Sequence, residues 1–419
     1  MGITIQNYPL GGATITMAHN PVEFVVSSTN TAQPNFKYIA DLSWTSGTTS
    51  VRYIQGANPI NGYCRFDFSS VLRNVVTYDP PVAATNDFYD CVNSYSTFTV
   101  QFGEQYGLSS AVTNYPNLVS DGQYTWNACI PISRWWNGQT PITDIYPVKD
   151  TDRKFLTDHP FRIETKGQKI CYNDLHYLYF LQDGATDDVY QVKFQLYKTG
   201  NVWNTITWDC PASINRTKNV VRIGVGAKNL QNSGSELNYF SSQSPCIDED
   251  VEYYSVTLYD YKAKQMTESL FFNIECECSW ESPYRLCFLN SVGGYDFFNF
   301  NWNSKKTSSY QKSFFERKAW IWDGTAVSYG SHNRGKVQYS TIASDKLQLT
   351  SGWITEEEST WLEELISSPD VYIIDNITGQ LTAVTVTDTQ YDYKTLEYDQ
   401  LFNLTITLDF AFNRYRQSI

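Results

Sequence analysis

Hydrophobic and polar residues alternate along several segments of the chain, which is the pattern of strands with one buried face. From Phe36 to Trp44 the apolar side chains occupy even positions, and Ile39 is the only apolar residue at an odd one. The same alternation recurs, with one exception in the last segment, in residues 98–102, 190–196 and 270–278. Each of these segments therefore predicts a half-buried strand.

The longest alternation lies near the C-terminus, in residues 402–412. Phe, Leu and Ile occupy its even positions and Asn, Thr and Asp most of the odd ones, with Ala411 as the one exception. It predicts a single strand of roughly 35 Å, at a rise of about 3.3 Å per residue. A strand of that length usually crosses a whole sandwich or barrel.

Helix signals are rare. Thr355–Glu358 matches a capping box, and the three glutamates of this first turn suit the helix dipole. The apolar stripe that follows consists of Trp361, Leu362, Leu365 and Ile366. With Pro369 just beyond its end, the pattern predicts a helix over residues 355–368. A shorter helix is predicted from Ser69 or Ser70 through Asn74.

Residues 284–300 place six aromatic rings around a Gly-Gly turn. Tyr284, Leu286 and Phe288 share one face of a strand by the period-2 rule, and the turn at 290–294 leads into a second aromatic strand. The segment predicts a β-hairpin whose rings serve packing within or between subunits, because it offers little that could perform chemistry.

Composition supports the same fold class. Aromatic residues make up 16% of the 419 residues, and there are only 3 Met, a profile that suits strands better than helices. We predict a mainly β protein of two or three sandwich- or barrel-like domains, with one short helix near the C-terminus. Candidate boundaries at Asp150–Lys154 and Ser279–Pro283 divide the chain into an N-terminal β-sandwich domain (1–150), a second β-rich domain (151–280) and a C-terminal β domain (281–419).

The net charge of −13 argues against nucleic-acid binding, since phosphate contacts need clustered Lys and Arg and no basic run of useful length occurs. No run approaches the roughly 18 apolar residues of a membrane span. Nine cysteines without a framework spacing, and an N-terminus that lacks the features of a signal peptide, predict mostly reduced thiols in a protein made in a cytoplasm.

Motifs for chemistry are weak. Cys276 and Cys278, followed by Cys287, are the best metal candidate, but their parity in the strand pattern favours a core role. Gly224–Gly226 predicts a turn or bulge rather than a phosphate loop, and the acidic run Asp248–Asp250 receives no role. No motif for a catalytic nucleophile occurs. A glycoside hydrolase needs only two suitably placed carboxylates, and with 44 acidic residues in the chain the presence of acid pairs does not indicate one. We expect no enzyme activity, no cofactor and no metal.

Tryptophan pairs are the candidate binding residues. Exposed indoles stack on sugar rings or dock subunits, whereas buried indoles fill a core, and exposure separates the two interpretations. The candidates are Trp135, Trp136, Trp203, Trp208, Trp320 and Trp322.

Four segments carry a resemblance to a known group of proteins. They are 20–39, 65–72, 289–295 and 361–372, and the last reads Trp-Leu-Glu-Glu-Leu-Ile-Ser-Ser-Pro-Asp-Val-Tyr. In their order along the chain they resemble virion proteins of tailed bacteriophages that infect Bacteroidetes, including crAss-like phages.

The resemblance implies a non-enzymatic structural component of the virion, made in the bacterial host cytoplasm. Its expected place is the tail, tail hub or baseplate, where it assembles into a ring of identical subunits and docks neighbouring virion proteins. The alternative is a receptor- or carbohydrate-binding virion protein whose partner is a host-surface glycan.

Overall fold

The computed structural model describes most of the chain. The described residues are 2–9, 15–44, 50–82, 88–107, 123–131, 155–160, 167–182, 189–211, 214, 219–231, 247–275, 283–388 and 403–415. They are mainly β, with several sheets and three helices, which confirms the predicted fold class.

The chain divides into two compact units. The first comprises Met1–Cys276 and Leu289–Asp296, and the second comprises Glu277–Phe288 and Phe297–Ile419. Of the predicted boundary segments, residues 150–154 and 279–282 lie outside the described residues. None of the described helices is long and apolar enough to span a membrane.

The first unit begins with a sandwich of two sheets. The three-stranded sheet has the order β1 (Ile3–Asn7), β3 (Glu23–Ser28), β6 (Cys64–Asp67). The five-stranded sheet has the order β2 (Ile15–Met17), β9 (Gln123–Trp126), β8 (Tyr95–Gln105), β4 (Lys37–Trp44), β5 (Ser50–Gly56). Phe24 and Phe102 meet between the sheets, with ring centroids 5.6 Å apart. The helix α1 (Ser69–Leu72) buries Leu72 in the same core.

Two further sheets of the first unit share a second core. One has the order β10 (Gln168–Ile170), β16 (Leu270–Ile274), β15 (Tyr253–Tyr259), β12 (Gln191–Lys198), β13 (Asn201–Asp209). The other has the order β11 (Tyr177–Gln182), β14 (Asn219–Gly224), β7 (Tyr89–Asp90), and α2 (Ala227–Gln231) follows β14. Phe180, Val192 and Trp208 are among the residues buried between them.

The second unit contains one large antiparallel sheet. Its strand order is β18 (Tyr295–Phe300), β17 (Tyr284–Leu289), β23 (Val371–Ile374), β24 (Leu381–Val386), β25 (Thr405–Phe410), β22 (Lys336–Thr350), β19 (Ser304–Glu316). The strand β26 (Arg414–Tyr415) pairs with β22, and β20 (Ile321–Trp322) pairs with β21 (Val327–Ser328). The helix α3 (Glu356–Ser367) packs Trp361 against the rings of Phe288 and Phe298.

Several sequence predictions are confirmed in detail. The strands β4, β8 and β12 lie in the segments whose alternation predicts them, with the apolar positions largely buried. β16 forms over only Leu270–Ile274 of the predicted 270–278 segment, and residues 276–278 lie outside the described residues. The hairpin of β17 and β18 forms as expected. The capping box of α3 is present, because Glu358 N donates to Thr355 Oγ1 at 3.2 Å and Thr355 N donates to Glu358 Oε2 at 2.7 Å.

The predicted C-terminal strand over 402–412 is wrong in its length. β25 spans only Thr405–Phe410, and the chain bends before β26 begins at Arg414. Ile406 and Leu408 are buried as predicted, but Phe412 is 79% exposed. Alternation identifies the residues that share a face, whereas the end of the strand depends on where its neighbours stop, and β24 pairs with β25 no further than Phe410.

Candidate functional site: an exposed arm

Strands β19 and β22 form a long hairpin, and we call residues 304–350 the arm. The two strands pair antiparallel from Ser304 and Leu349 at one end to Glu316 and Lys336 at the other. β25 and β26 pair with β22 only at residues 342–350, so in the described part of the chain residues 336–341 pair with β19 alone. The thirteen residues of β19 extend about 40 Å at about 3.4 Å per residue. The distal arm is therefore a two-stranded ribbon.

The sequence of the two strands explains why one end is buried and the other exposed. On β22, Leu347 and Leu349 alternate into the sheet core, whereas the following inward positions hold the charged Asp345, the small Ala343 and the polar Thr341. β19 carries Ser, Thr, Lys and Gln on both faces and is exposed or half-buried throughout. Among residues 312–341 only Val337 and Thr341 are buried, so the ribbon packs little of its surface against its own unit.

An ion-pair network fixes the root of the arm. Asp345 on β22, only 8% exposed in its side chain, accepts from Ser308 Oγ at 2.6 Å and Arg414 Nη2 at 2.7 Å, and Lys306 Nζ lies at 3.3 Å. The Ser308 hydrogen bond, then Arg414 and Lys306, lower the pKa of Asp345 to about 2. The carboxylate thus joins β19, β22 and β26.

The far end of the arm, residues 317–335, is a structured turn that we call the tip. β20 and β21 pair Ile321 with Ser328 and Trp322 with Val327. Asp323 accepts from the backbone N–H groups of Thr325 and Ala326 at 2.8 Å each, and these hydrogen bonds lower its pKa. Such an Asx turn holds the backbone that presents the neighbouring side chains.

Large apolar side chains crowd the distal arm although they are 45–66% exposed. They are Phe314, Phe315, Trp320, Ile321, Trp322, Val327, Tyr329 and Tyr339. Phe315 and Tyr339 contact each other across the ribbon, with ring centroids 6.1 Å apart. Exposed apolar residues that cluster in one segment mark an interaction surface, whereas single ones need no explanation.

The arm is basic although the chain as a whole is acidic. Residues 304–350 contain eight Lys or Arg and three Asp or Glu, which gives the arm a net charge of +5. Because the whole chain has a net charge of −13, the residues outside the arm have a net charge of −18. Lys318 Nζ lies 5.1 Å from the ring centroid of Trp320, and Lys336 Nζ lies 4.7 Å from that of Phe314. Such rings and cations together suit an acidic protein surface.

The candidate tryptophans fall into three groups. Trp320 and Trp322 are exposed on the arm, and Trp203 is exposed on β13 with Lys198 Nζ 3.8 Å from its ring centroid. Trp208 is 1% exposed and packs against Phe88, which removes it from the stacking candidates. Trp135 and Trp136 lie outside the described residues.

Sequence reasoning missed the arm and a second exposed indole pair. Trp302 and Trp353 lie at the root of the arm with ring centroids 5.0 Å apart, and both are exposed. A count of charge by segment is the signal that finds the arm, since 304–350 is basic in an acidic chain. Alternation does not identify β19, because most of its residues are polar and the adjacent Phe314 and Phe315 fall on opposite faces.

The other motifs have structural explanations. Gly226 leads from β14 into α2, and a Cβ there would collide with the backbone of Asp174 and His176, so close chain approach requires glycine. This is the predicted turn, although a short helix does follow it. In the acidic run, Asp248 pairs with Lys198 Nζ at 2.5 Å.

The cysteine cluster is only partly described. Cys276 and Cys278 lie outside the described residues, whereas Cys287 is buried on β17. Elsewhere, burial raises the pKa of the Cys64 thiol to about 11. Among the described residues no group of three or more His, Cys, Asp or Glu converges as a metal site.

No protein-family model matches the chain, and no curated protein matches it.

Proposed function

We propose that this protein is a non-enzymatic structural component of a bacteriophage virion, in the tail, tail hub or baseplate, and that it assembles into a ring. The observation that carries the proposal is the arm, a basic ribbon with exposed aromatic rings. Its partners are other copies of this chain and neighbouring virion proteins. The resemblance to virion proteins of Bacteroidetes phages supports synthesis in the host cytoplasm before assembly.

The physical reason lies in the marginal stability of a free hairpin. A two-stranded ribbon has little stability in water without a further packing surface. Fully burying one large apolar side chain contributes about 1.5–3 kcal/mol, and the distal arm exposes eight of them. A neighbouring subunit that covers these side chains gains binding free energy and fixes the arm at the same time.

The first experiment compares the full chain with a shortened arm. Glu316 and Lys336 are directly paired, so replacement of residues 317–335 by Asn-Gly closes the ribbon with a two-residue hairpin turn. We expect the full chain to form oligomers by light scattering and to occur in purified virions. The shortened chain is expected to keep its circular dichroism spectrum but to remain monomeric. A full chain that is monomeric and absent from virions would overturn the proposal.

A second candidate function is receptor or glycan binding by the virion protein. It is favoured by the exposed indoles of Trp320, Trp322 and Trp203, because flat sugar faces stack on such rings. Glycan-array binding that is lost in Trp320→Ala and Trp322→Ala, with the fold and oligomeric state unchanged, would select this function. Trp208→Phe, at a buried indole, is the control for unspecific effects.

A further inference from the structure

The second unit carries another exposed surface, at the opposite end of the arm from the tip. Trp302 donates its backbone N–H to Thr350 O at the root of the arm, and its ring meets that of Trp353 at 80°. Trp353 lies two residues before Thr355, the N-cap of α3. The indole pair is therefore next to the start of this helix.

The helix α3 is strongly acidic on its outer side. Its twelve residues include five Glu and no Lys or Arg, whereas Trp361, Leu362 and Leu365 are buried. Glu356, Glu357 and Glu363 are exposed. We call the Trp302–Trp353 pair and these three glutamates the root surface.

The tip and the root surface are complementary in two respects. Both present exposed aromatic rings, and the cations Arg317, Lys318, Arg334 and Lys336 at or beside the tip are opposite in sign to the three glutamates. Opposite charges steer two surfaces together and fix their register, while the aromatic rings supply apolar burial.

One chain cannot bring its own two surfaces together. They lie at opposite ends of β19, about 40 Å apart along the strand direction, and the side chains of both are exposed. A second copy of the chain supplies the missing partner for each surface. Contacts between two different surfaces of identical subunits give a ring where the rotation closes.

From this complementarity we infer that the tip of one copy docks on the root surface of a second copy, head to tail. The inference rests on the proposed function, because it names the acceptor for the arm. Head-to-tail docking differs from a two-fold contact between two arms, because in the two-fold contact the like charges of the two tips would face each other.

Charge-reversed full-length chains test the inference. Variant one is R317E/K318E/R334E in the tip, and variant two is E356K/E357K/E363K on the root surface. Each variant alone is expected to self-associate on the order of a hundredfold more weakly than the natural chain. In a mixture of the two, the negative tip of variant one meets the positive root surface of variant two, and the positive tip of variant two meets the negative root surface of variant one. The mixture is therefore expected to form oligomers again. The chain that carries all six changes is expected to form them too, because its tip and root surface are again opposite in charge.

Controls separate folding from docking. Glu358 keeps the capping box in both variants, and E356Q/E357Q/E363Q, which lacks the reversed charge, is expected to weaken association less than variant two. Thermal unfolding of every variant is measured alongside. If variant two folds and assembles like the natural chain, or if the mixture fails to assemble, the root surface is not the acceptor. In that case the proposed function stands as long as the shortened-arm chain is monomeric. A natural chain that is itself monomeric and absent from virions overturns both.

Discussion

Arg414 donates a hydrogen bond to the carboxylate of Asp345 at 2.7 Å, and this ion pair joins the last described strand to the root of the arm. The carboxylate also accepts from Ser308 Oγ on the opposite strand of the ribbon. The charged form of Asp345 therefore holds three strands together, and its stabilising effect depends on pH.

Protonation of Asp345 is expected to loosen the root of the arm. Its folded pKa of about 2 lies below its ordinary value of 3.8, so the stabilisation is fully present above about pH 4 and is lost as the pH falls toward 2. Asp345→Asn should lower the urea midpoint of the second unit near neutral pH, and the difference from the natural chain should shrink in that acidic window.

The control for this prediction is Glu275→Gln, which removes the exposed Lys169–Glu275 pair of the first unit. It should change the midpoint little, because exposed ion pairs contribute about 0–1 kcal/mol. A gap between the natural chain and Asp345→Asn that is the same at every pH would contradict the assigned role of the charge.

Replacement of Trp361 by Ala should destabilise the second unit by about 3–5 kcal/mol. The ring is 4% exposed, and its centroid lies 5.7 Å from that of Phe288 and 6.1 Å from that of Phe298. Trp353→Ala is the matched control, since that indole is 58% exposed and its loss should cost less than about 1 kcal/mol. Chemical unfolding followed by circular dichroism measures both, and equal losses would mean that the burial of Trp361 is not what stabilises α3.

The side chain of Thr355 should stabilise α3 by about 1 kcal/mol as its N-cap. Thr355→Ala leaves the backbone N–H of Glu358 without the oxygen that accepts it in the natural chain. Thr360→Ala is the control, because Thr360 lies inside the helix and Ala has the higher helix propensity. Urea unfolding should therefore place Thr355→Ala below the natural chain and Thr360→Ala at or above it; the reverse order would exclude the cap as the source of stability.

Local patterns predict the elements that are stabilised by one buried face. Tyr38 and Leu42 alternate with polar residues and are fully buried, because a strand on a sandwich has one core side.

The burial of Arg285 is less predictable. This residue lies on the expected polar face of β17, but it is buried, donates to Asn299 Oδ1 at 2.7 Å and lies 5.3 Å from the Phe297 ring centroid. Burial of both faces is a property of the tertiary structure and leaves no period in the sequence.

The arm is hidden from pattern reasoning for the opposite reason. Most of β19 is polar, and the adjacent Phe314 and Phe315 fall on opposite faces, so β19 has no apolar period and only its register with β22 defines it as a strand. Trp320 and Trp322, which the sequence singles out as candidate binding residues, are exposed on the arm. The positive charge of the arm, however, is visible only when residues 304–350 are compared with the rest of the chain.

Gly293 and Gly324 provide the last prediction, since both have positive φ angles, +89° and +99°, but different surroundings. A Cβ on Gly324 meets nothing within 4 Å, whereas one on Gly293 would collide with the Asn127 carbonyl oxygen and press on the Trp126 ring. Ala at Gly324 should cost about 1–2 kcal/mol for the backbone alone. Ala at Gly293 should cost about 1–3 kcal/mol more than Ala at Gly324, because the side chain and backbone packed against it must also move.

The two glycine substitutions should also act in different units. Trp126 Nε1 donates to Val292 O at 3.0 Å, so Gly293→Ala should weaken protection from hydrogen exchange at β9 in the first unit. Gly324→Ala should affect only the tip, where the Asp323 turn holds the chain. Hydrogen exchange measured by mass spectrometry resolves the two regions, and unchanged protection at β9 in Gly293→Ala would show that the 289–296 turn does not support that strand.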